Sequence, residues 1–224
     1  MITVHHLENS RSQRVLWLLE ELGLPYTVKR YERDPKTMLA PPELRSVHPL
    51  GKSPVLVDRD PSGASRILVE TGAIVEHLVD KADGRLGKPY GDDAAMRYRQ
   101  FLHYAEGSLM PPLLVTLVLG RIRSAPMPFF ARPIARGIAD KVMAGFARPQ
   151  IKLHLDYLEG ELGRHAWFAG EDFSAADVQM SFPLEAAQAR YGFDGHPCWR
   201  ASSSASTPGR PTSARWNRAG PTTC

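Results

Sequence analysis

The chain has 224 residues and a formal net charge of +4, with 43% apolar and 23% charged residues. That length buries a sizeable core as one large domain or two small ones, and the composition is ordinary for a globular protein. The charge excess is mild and no basic run is interleaved with aromatics, so nucleic acid is not an expected partner.

The only cysteines, Cys198 and Cys224, give no disulfide framework, no CxxC and no zinc spacing. The N-terminus runs straight into a strand pattern without a signal peptide. The apolar stretch 110–119 is shorter than the roughly 18 residues of a membrane span. A cytoplasmic protein without membrane association is the expectation.

Residues 2–24 read as strand, polar turn and helix. Ile2, Val4 and Leu7 make a short apolar strand, and Glu8-Asn9-Ser10-Arg11-Ser12 is a polar turn. Val15, Leu16, Leu18, Leu19 and Leu22 form the stripe of a helix that stops at Gly23. Backbone N–H groups and the positive end of the helix dipole converge on such a turn and stabilise an anion, a thiolate included. A hydroxyl from Ser10 or Ser12, or the Asn9 amide, adds a hydrogen bond that favours ionisation. In isolation the same residues read as a helix cap. His5 and His6 are adjacent on a strand and point to opposite faces, so they do not pair on a metal, and no metal is expected.

Residues 26–31 alternate as a strand, and the βαβ connection makes it parallel to the first. Residues 34–48 are proline-punctuated, with a short helix at 42–47. Val55-Leu56-Val57, the turn Asp60-Pro61-Ser62-Gly63 and Ile67-Leu68-Val69 form an antiparallel hairpin. Glu70-Thr71 opens a helix with Ile74, Val75, Leu78 and Val79 inward. The sum is a four-stranded mixed sheet with helices over residues 1–82.

Residues 83–92, Gly-rich and charged, read as a linker. Beyond it only helices are expected, over residues 93–196. The pattern predicts a helix over 93–120 bent at Pro111-Pro112, a loop at 124–133 exposing Phe129-Phe130, and a helix over 134–162 interrupted near Pro149. Ser174 and Asp177 fit a capping box, with Ser174 on the Asp177 amide, Asp177 reaching back and Phe173 as the hydrophobic staple.

Three segments together resemble the cytosolic glutathione transferases, closest to the bacterial and fungal serine-type branch. His48-Pro49-Leu50-Gly51-Lys52-Ser53-Pro54-Val55-Leu56 is similar to the family's Asn-Pro-x-Gly-x-Val-Pro-x-Leu segment. Glu70-Thr71-Gly72-Ala73-Ile74 is similar to its Glu-Ser-x-Ala-Ile. Residues 170–177 are similar to the folding motif of its C-terminal domain. The resemblance implies a thioredoxin-like α/β N-terminal domain and an all-α C-terminal domain.

The resemblance also implies roles for single residues. Pro54 is cis, leaving the Ser53 backbone to pair with the extended peptide glutathione. Glu70 holds the γ-glutamyl ammonium, Thr71 and its helix terminus hold the carboxylate, and Lys52 pairs with the glycyl carboxylate. The family's catalytic hydroxyl lies four residues before a helix arginine; Arg14 points back to Ser10, with Asn9 as second candidate. No cysteine occupies the turn, so the thiol–disulfide chemistry of cysteine-type members is not expected. His6, Tyr104, Met110 and Leu114 are the expected walls of an apolar electrophile pocket. The implied activity is detoxifying transfer of the glutathione thiolate to small electrophiles, with organic peroxides as further substrates, in a homodimer. A binding or interaction module of the same fold, without turnover, is the alternative.

Past His196-Pro197 the text turns Ser/Thr/Arg/Pro-rich and loses helical period, which by composition reads as a disordered tail over 197–224. A slipped reading frame accounts for it as well. With GC-rich codons the neighbouring frame re-reads the segment as an amphipathic helix resembling the family's C-terminal end, and the gene sequence separates the two readings.

Overall fold

The computed structural model describes residues 1–87 and 93–191. The expectations for the tail, and for part of the linker, lie outside the described residues.

The first half has the order β1 (Ile2–Leu7), α1 (Ser12–Leu22), β2 (Tyr26–Tyr31), α2 (Glu43–Val47), β3 (Val55–Arg59), β4 (Ser65–Leu68) and α3 (Thr71–Lys81). The sheet order is β2-β1-β3-β4. β1 runs parallel to β2 with Ile2 opposite Tyr26, and β3 is antiparallel to both β1 and β4. This is the four-stranded mixed sheet that the pattern predicts.

Alternation along β1 sorts its side chains between two layers. Ile2 and Val4 join the core formed with Val15, Leu18 and Leu19 of α1 and Ile74, Val75 and Leu78 of α3. Leu7 goes to the other face, with Tyr31 and Leu44 of α2. Helix α1 ends where Gly23 takes a left-handed φ of 60°, and its N–H returns to Glu20 O. β4 begins and ends earlier than the expected 67–69. Glu70, at φ 68°, has already left extended geometry to enter α3.

The second half is helical: α4 (Asp93–Tyr104), α5 (Met110–Ser124), α6 (Arg132–Val142), α7 (Arg148–Leu162) and α8 (Ala175–Tyr191). Two π-helical turns, Ala105–Leu109 and Met143–Ala147, join α4 to α5 and α6 to α7 without a break. Each sits just before prolines. A proline has no N–H, and its ring crowds the carbonyl four residues back. Those carbonyls belong to Gly107 and Ser108 for Pro111 and Pro112, and to Gly145 for Pro149, all inside the widened turns. The expected bend and interruption are therefore extra-wide turns in continuous helix. Continuity also makes residues 93–124 long and apolar enough, by length and composition, to cross a membrane, which the count over 110–119 did not anticipate. Phe101, Leu102, Leu109 and Leu113 of that run are buried in the protein core.

Phe129 and Phe130 are exposed, as expected. The capping box before α8 differs in one bond. The Ser174 hydroxyl donates to Asp177 Oδ2 at 2.9 Å rather than accepting from the Asp177 amide, which bonds the Ser174 carbonyl at 3.0 Å. Asp177 reaches back to Ser174 N–H at 2.9 Å and also accepts from Phe168 N–H at 2.9 Å. Phe173 packs edge-on to Trp167 and against Trp17 of α1. One hydrophobic cluster runs from Ile2 and Val4 through α1 and α3 into α4, α5, α7 and α8. The two halves share that core.

Candidate active site

The turn between β1 and α1 is the candidate chemical centre. Asn9 stands exposed in the left-handed region at φ 48°, a conformation that asparagine tolerates better than most residues. Its carbonyl accepts from Arg33 Nη2 at 3.1 Å, and its amide has no partner among the described residues. Ser10 and Ser12 turn inward and are buried. The Ser12 N–H donates to Ser10 Oγ at 3.3 Å, so Ser10 does carry part of the capping role.

The two hydroxyls belong to a longer chain. Ser10 Oγ lies 2.7 Å from Ser12 Oγ, and Ser12 Oγ lies 2.8 Å from His6 Nδ1. On the other side Ser10 donates a long bond of 3.4 Å to Ser53 Oγ. Ser53 Oγ donates to the His5 carbonyl at 2.9 Å and accepts from Leu7 N–H at 3.2 Å. His6 is half-buried; burial, and then Arg30, lower its pKa, so the ring is neutral at pH 7. His5 goes to the opposite face, where its Nδ1 meets the Tyr31 hydroxyl at 2.8 Å.

Of the expected binding residues, Ser53 reaches this turn through its hydroxyl. The Ser53–Pro54 bond is cis. The Ser53 backbone N–H makes no hydrogen bond among the described residues. Glu70 and Thr71 stand at the start of α3, and no side chain caps that helix. The plain capping explanation of the pair is therefore not realised. The Glu70 carboxylate, the Thr71 hydroxyl and the Lys52 ammonium each lack a protein partner among the described residues, while Glu70 and Lys52 are exposed. A helix N-terminus with uncommitted N–H groups and a hydroxyl beside it can hold a carboxylate.

The expected pocket walls are less unified. His6 spends Nδ1 on Ser12. The Tyr104 hydroxyl meets His154 Nδ1 of α7 at 2.5 Å, and its ring packs on Phe101 and Tyr157. Burial, with Tyr157 beside it, pushes that phenol far above its ordinary pKa. Met110 is buried in the shared core, and Leu114 is exposed. No hydrogen bond or ring contact joins Tyr104 or Leu114 to the serine chain among the described residues.

Sequence reasoning missed the fastening beneath the turn. Glu106, in the first π turn, accepts from Arg11 Nε at 3.0 and 2.9 Å and pairs with Arg14 Nη2. Arg14 is fully buried, also reaches the Gln179 carbonyl of α8, and lies 5.3 Å from the centre of the Phe182 ring. Gln13 meets Glu185 at 2.5 Å. A lone carboxylate in an apolar helix just before two prolines was the available signal for Glu106.

A mixed four-stranded sheet, a buried hydroxyl at the first helix terminus, a cis-proline beside it and a helical second half define the glutathione-handling class of two-domain enzymes. The chain belongs to the glutathione S-transferase family. The family model described as Glutathione S-transferase, N-terminal domain, matches residues 10–81, and the one for the C-terminal domain matches residues 125–194. The chain is 42% identical over 193 residues to Glutathione S-transferase 3 of Schizosaccharomyces pombe, covering 85% of this chain and 76% of that protein. A crystal structure of a glutathione S-transferase from Actinobacillus pleuropneumoniae is 30% identical, with a TM-score of 0.76 over 96% of this chain and 90% of that one. A glutathione transferase family member from Pseudomonas fluorescens, solved with two glutathione bound, is 25% identical with a TM-score of 0.71, over 96% and 91% of the two chains.

Proposed function

We propose that the enzyme conjugates the glutathione thiolate to small apolar electrophiles, with Ser10 donating the hydrogen bond that holds the sulfur ionised. The observation that carries this reading is the buried Ser10 hydroxyl at the α1 terminus, which lies 2.7 Å from Ser12 Oγ and can donate a 3.4 Å bond to Ser53 Oγ. Such a bond is long for two hydroxyls and yields readily to a thiolate. Free thiols titrate near ~8.5, and one hydrogen bond plus a helix terminus lowers that by about one to two units. The thiolate fraction at neutral pH then rises from a few per cent to about half.

In the reaction the thiol proton leaves to solvent, sulfur forms a bond to the electrophilic carbon, and the leaving group departs with the bonding pair. With an organic peroxide, sulfur attacks oxygen and the O–O bond breaks. A second glutathione then gives the disulfide and water, so two thiols are oxidised per alcohol formed.

Lys52, Ser53, Pro54, Glu70 and Thr71 form the tripeptide site in this reading, with residues 1–82 as its domain and 93–196 as the domain facing the electrophile. His6, Tyr104, Met110 and Leu114 remain the proposed surroundings of the apolar substrate. The working protein is a cytoplasmic homodimer without a metal. Two assays test the reading: retention on immobilised glutathione, and turnover of an activated aryl halide by wild type and Ser10→Ala. Retention by both, with turnover falling about 100-fold in the variant, is expected. Retention without turnover in either makes the chain a binding module.

A further inference from the structure

The hydroxyl chain around Ser10 can run in either of two directions, and the His6 tautomer selects between them. The His5 carbonyl can only accept, so Ser53 must donate to it, and Ser53 Oγ is left to accept. Leu7 N–H can only donate, and it takes one of the Ser53 lone pairs. The Ser10 proton then has two acceptors in reach, Ser53 Oγ at 3.4 Å and Ser12 Oγ at 2.7 Å. When it goes to Ser53, the 2.7 Å contact between Ser10 and Ser12 requires Ser12 to donate. In that arrangement the one Ser12 proton goes to Ser10 Oγ at 2.7 Å and not to the Leu7 carbonyl at 3.4 Å. Ser12 Oγ then accepts from His6 Nδ1 at 2.8 Å, and this direction exists only when the neutral ring carries its proton on Nδ1.

We infer that His6 is a positioning residue for the transfer. Its Nδ1–H, acting through Ser12, orients the chain so that the Ser10 proton is the one offered outward, to Ser53 at rest and to the glutathione sulfur in the complex. The inference rests on the reading of Ser10 as the donor to sulfur. A ring with its proton on Nε2 instead would accept from Ser12, leave Ser10 free to donate inward, and withdraw the proton from sulfur. Hydrogen bonds in a row also polarise one another, so the Ser10 O–H is a stronger donor with the ring behind it than without.

The test is the thiol pKa of bound glutathione, from thiolate ultraviolet absorbance against pH, in wild type, Ser10→Ala, Ser12→Ala, His6→Phe and His6→Asn. Affinity for S-methylglutathione, which has no ionisable thiol, checks that each variant keeps its site. His6→Phe and Ser12→Ala are expected to raise the bound thiol pKa by about half to one unit, a three- to tenfold fall in the thiolate-to-thiol ratio. His6→Asn, whose amide places a donor near the position of Nδ1, is expected to stay close to wild type. S-methylglutathione should bind all of them alike. If Ser10→Ala raises the thiol pKa while His6→Phe and Ser12→Ala leave it unchanged, the role of His6 is overturned and that of Ser10 stands. If His6→Asn shifts as far as His6→Phe, ring packing and not the N–H is what matters, which also overturns it. If Ser10→Ala itself changes nothing, both readings fall.

Discussion

At the scale of single residues, the proposed glutathione-holding groups of Glu70, Thr71 and Lys52 have no protein partner among the described residues. Thr71 Oγ1 has no protein partner among the described residues, so Thr71→Val removes no hydrogen bond seen in the fold. Loss of one charge-assisted hydrogen bond to a carboxylate is worth about 1.5–3 kcal/mol, so glutathione affinity by titration calorimetry is expected to weaken about 10- to 100-fold with an unchanged melting temperature. Asp177 is the opposite case. Burial raises its pKa to about 6, against the pull of the Phe168 and Ser174 N–H groups, which favour the ionised form. Asp177→Asn keeps one acceptor oxygen where two are used, and an N–H loses its partner at a cost of about 1–3 kcal/mol. The native carboxyl holds its proton more tightly than the unfolded one. The wild type therefore gains stability as pH falls from about 6 toward 3.8, and that gain is lost as pH rises through about 6. Urea midpoints should show a gap between wild type and Asp177→Asn that is wider at pH 4.5 than at pH 7. That Ser10, Thr71 and Asp177 stand at helix starts was legible, because each sits at a fixed offset from an apolar helical stripe. The coupling of Ser12 to His6 was not, since it depends on how the turn folds over the strand.

At the scale of elements, charge and backbone irregularity meet at the first π turn. The widened turn carries Glu106, which binds Arg11 and the fully buried Arg14. Removing one partner of a buried pair strands the other charge, so Glu106→Ala is expected to cost about 3 kcal/mol, read from the urea midpoint, with the slope unchanged. A variant within a few tenths of wild type would mean that Arg14 finds enough compensation from the Gln179 carbonyl and the Phe182 ring. The first two strands were legible to the residue and the hairpin strands in place, though β3 runs on to Arg59 and β4 starts earlier at Ser65, because two-residue alternation and flanking Gly and Pro mark strands better than their ends. The π turns were not, because a proline pair announces only that the regular ladder fails. Whether it fails by a bend or by a wider turn depends on what packs against it.

At the scale of the whole molecule, α/β followed by all-α was legible from the change in hydrophobic period past residue 82. The continuity of the core was not, because period says which face of a helix is apolar and nothing of what covers it. Phe101, Leu109, Val178 and Leu184 share one cluster with Ile2, Val15 and Ile74, and Trp17 of the first half packs on Phe173 of the second. Urea transitions followed by far-ultraviolet circular dichroism and by tryptophan fluorescence are therefore expected to coincide; two separated steps would mean that the halves unfold independently. The central claim remains the activation of sulfur by Ser10, and the most direct measurement is the ultraviolet titration of glutathione bound to wild type and to Ser10→Ala. The account predicts a bound thiol that titrates near or below neutrality and rises by about one unit in the variant. An ordinary thiol pKa of ~8.5 in both proteins would contradict it.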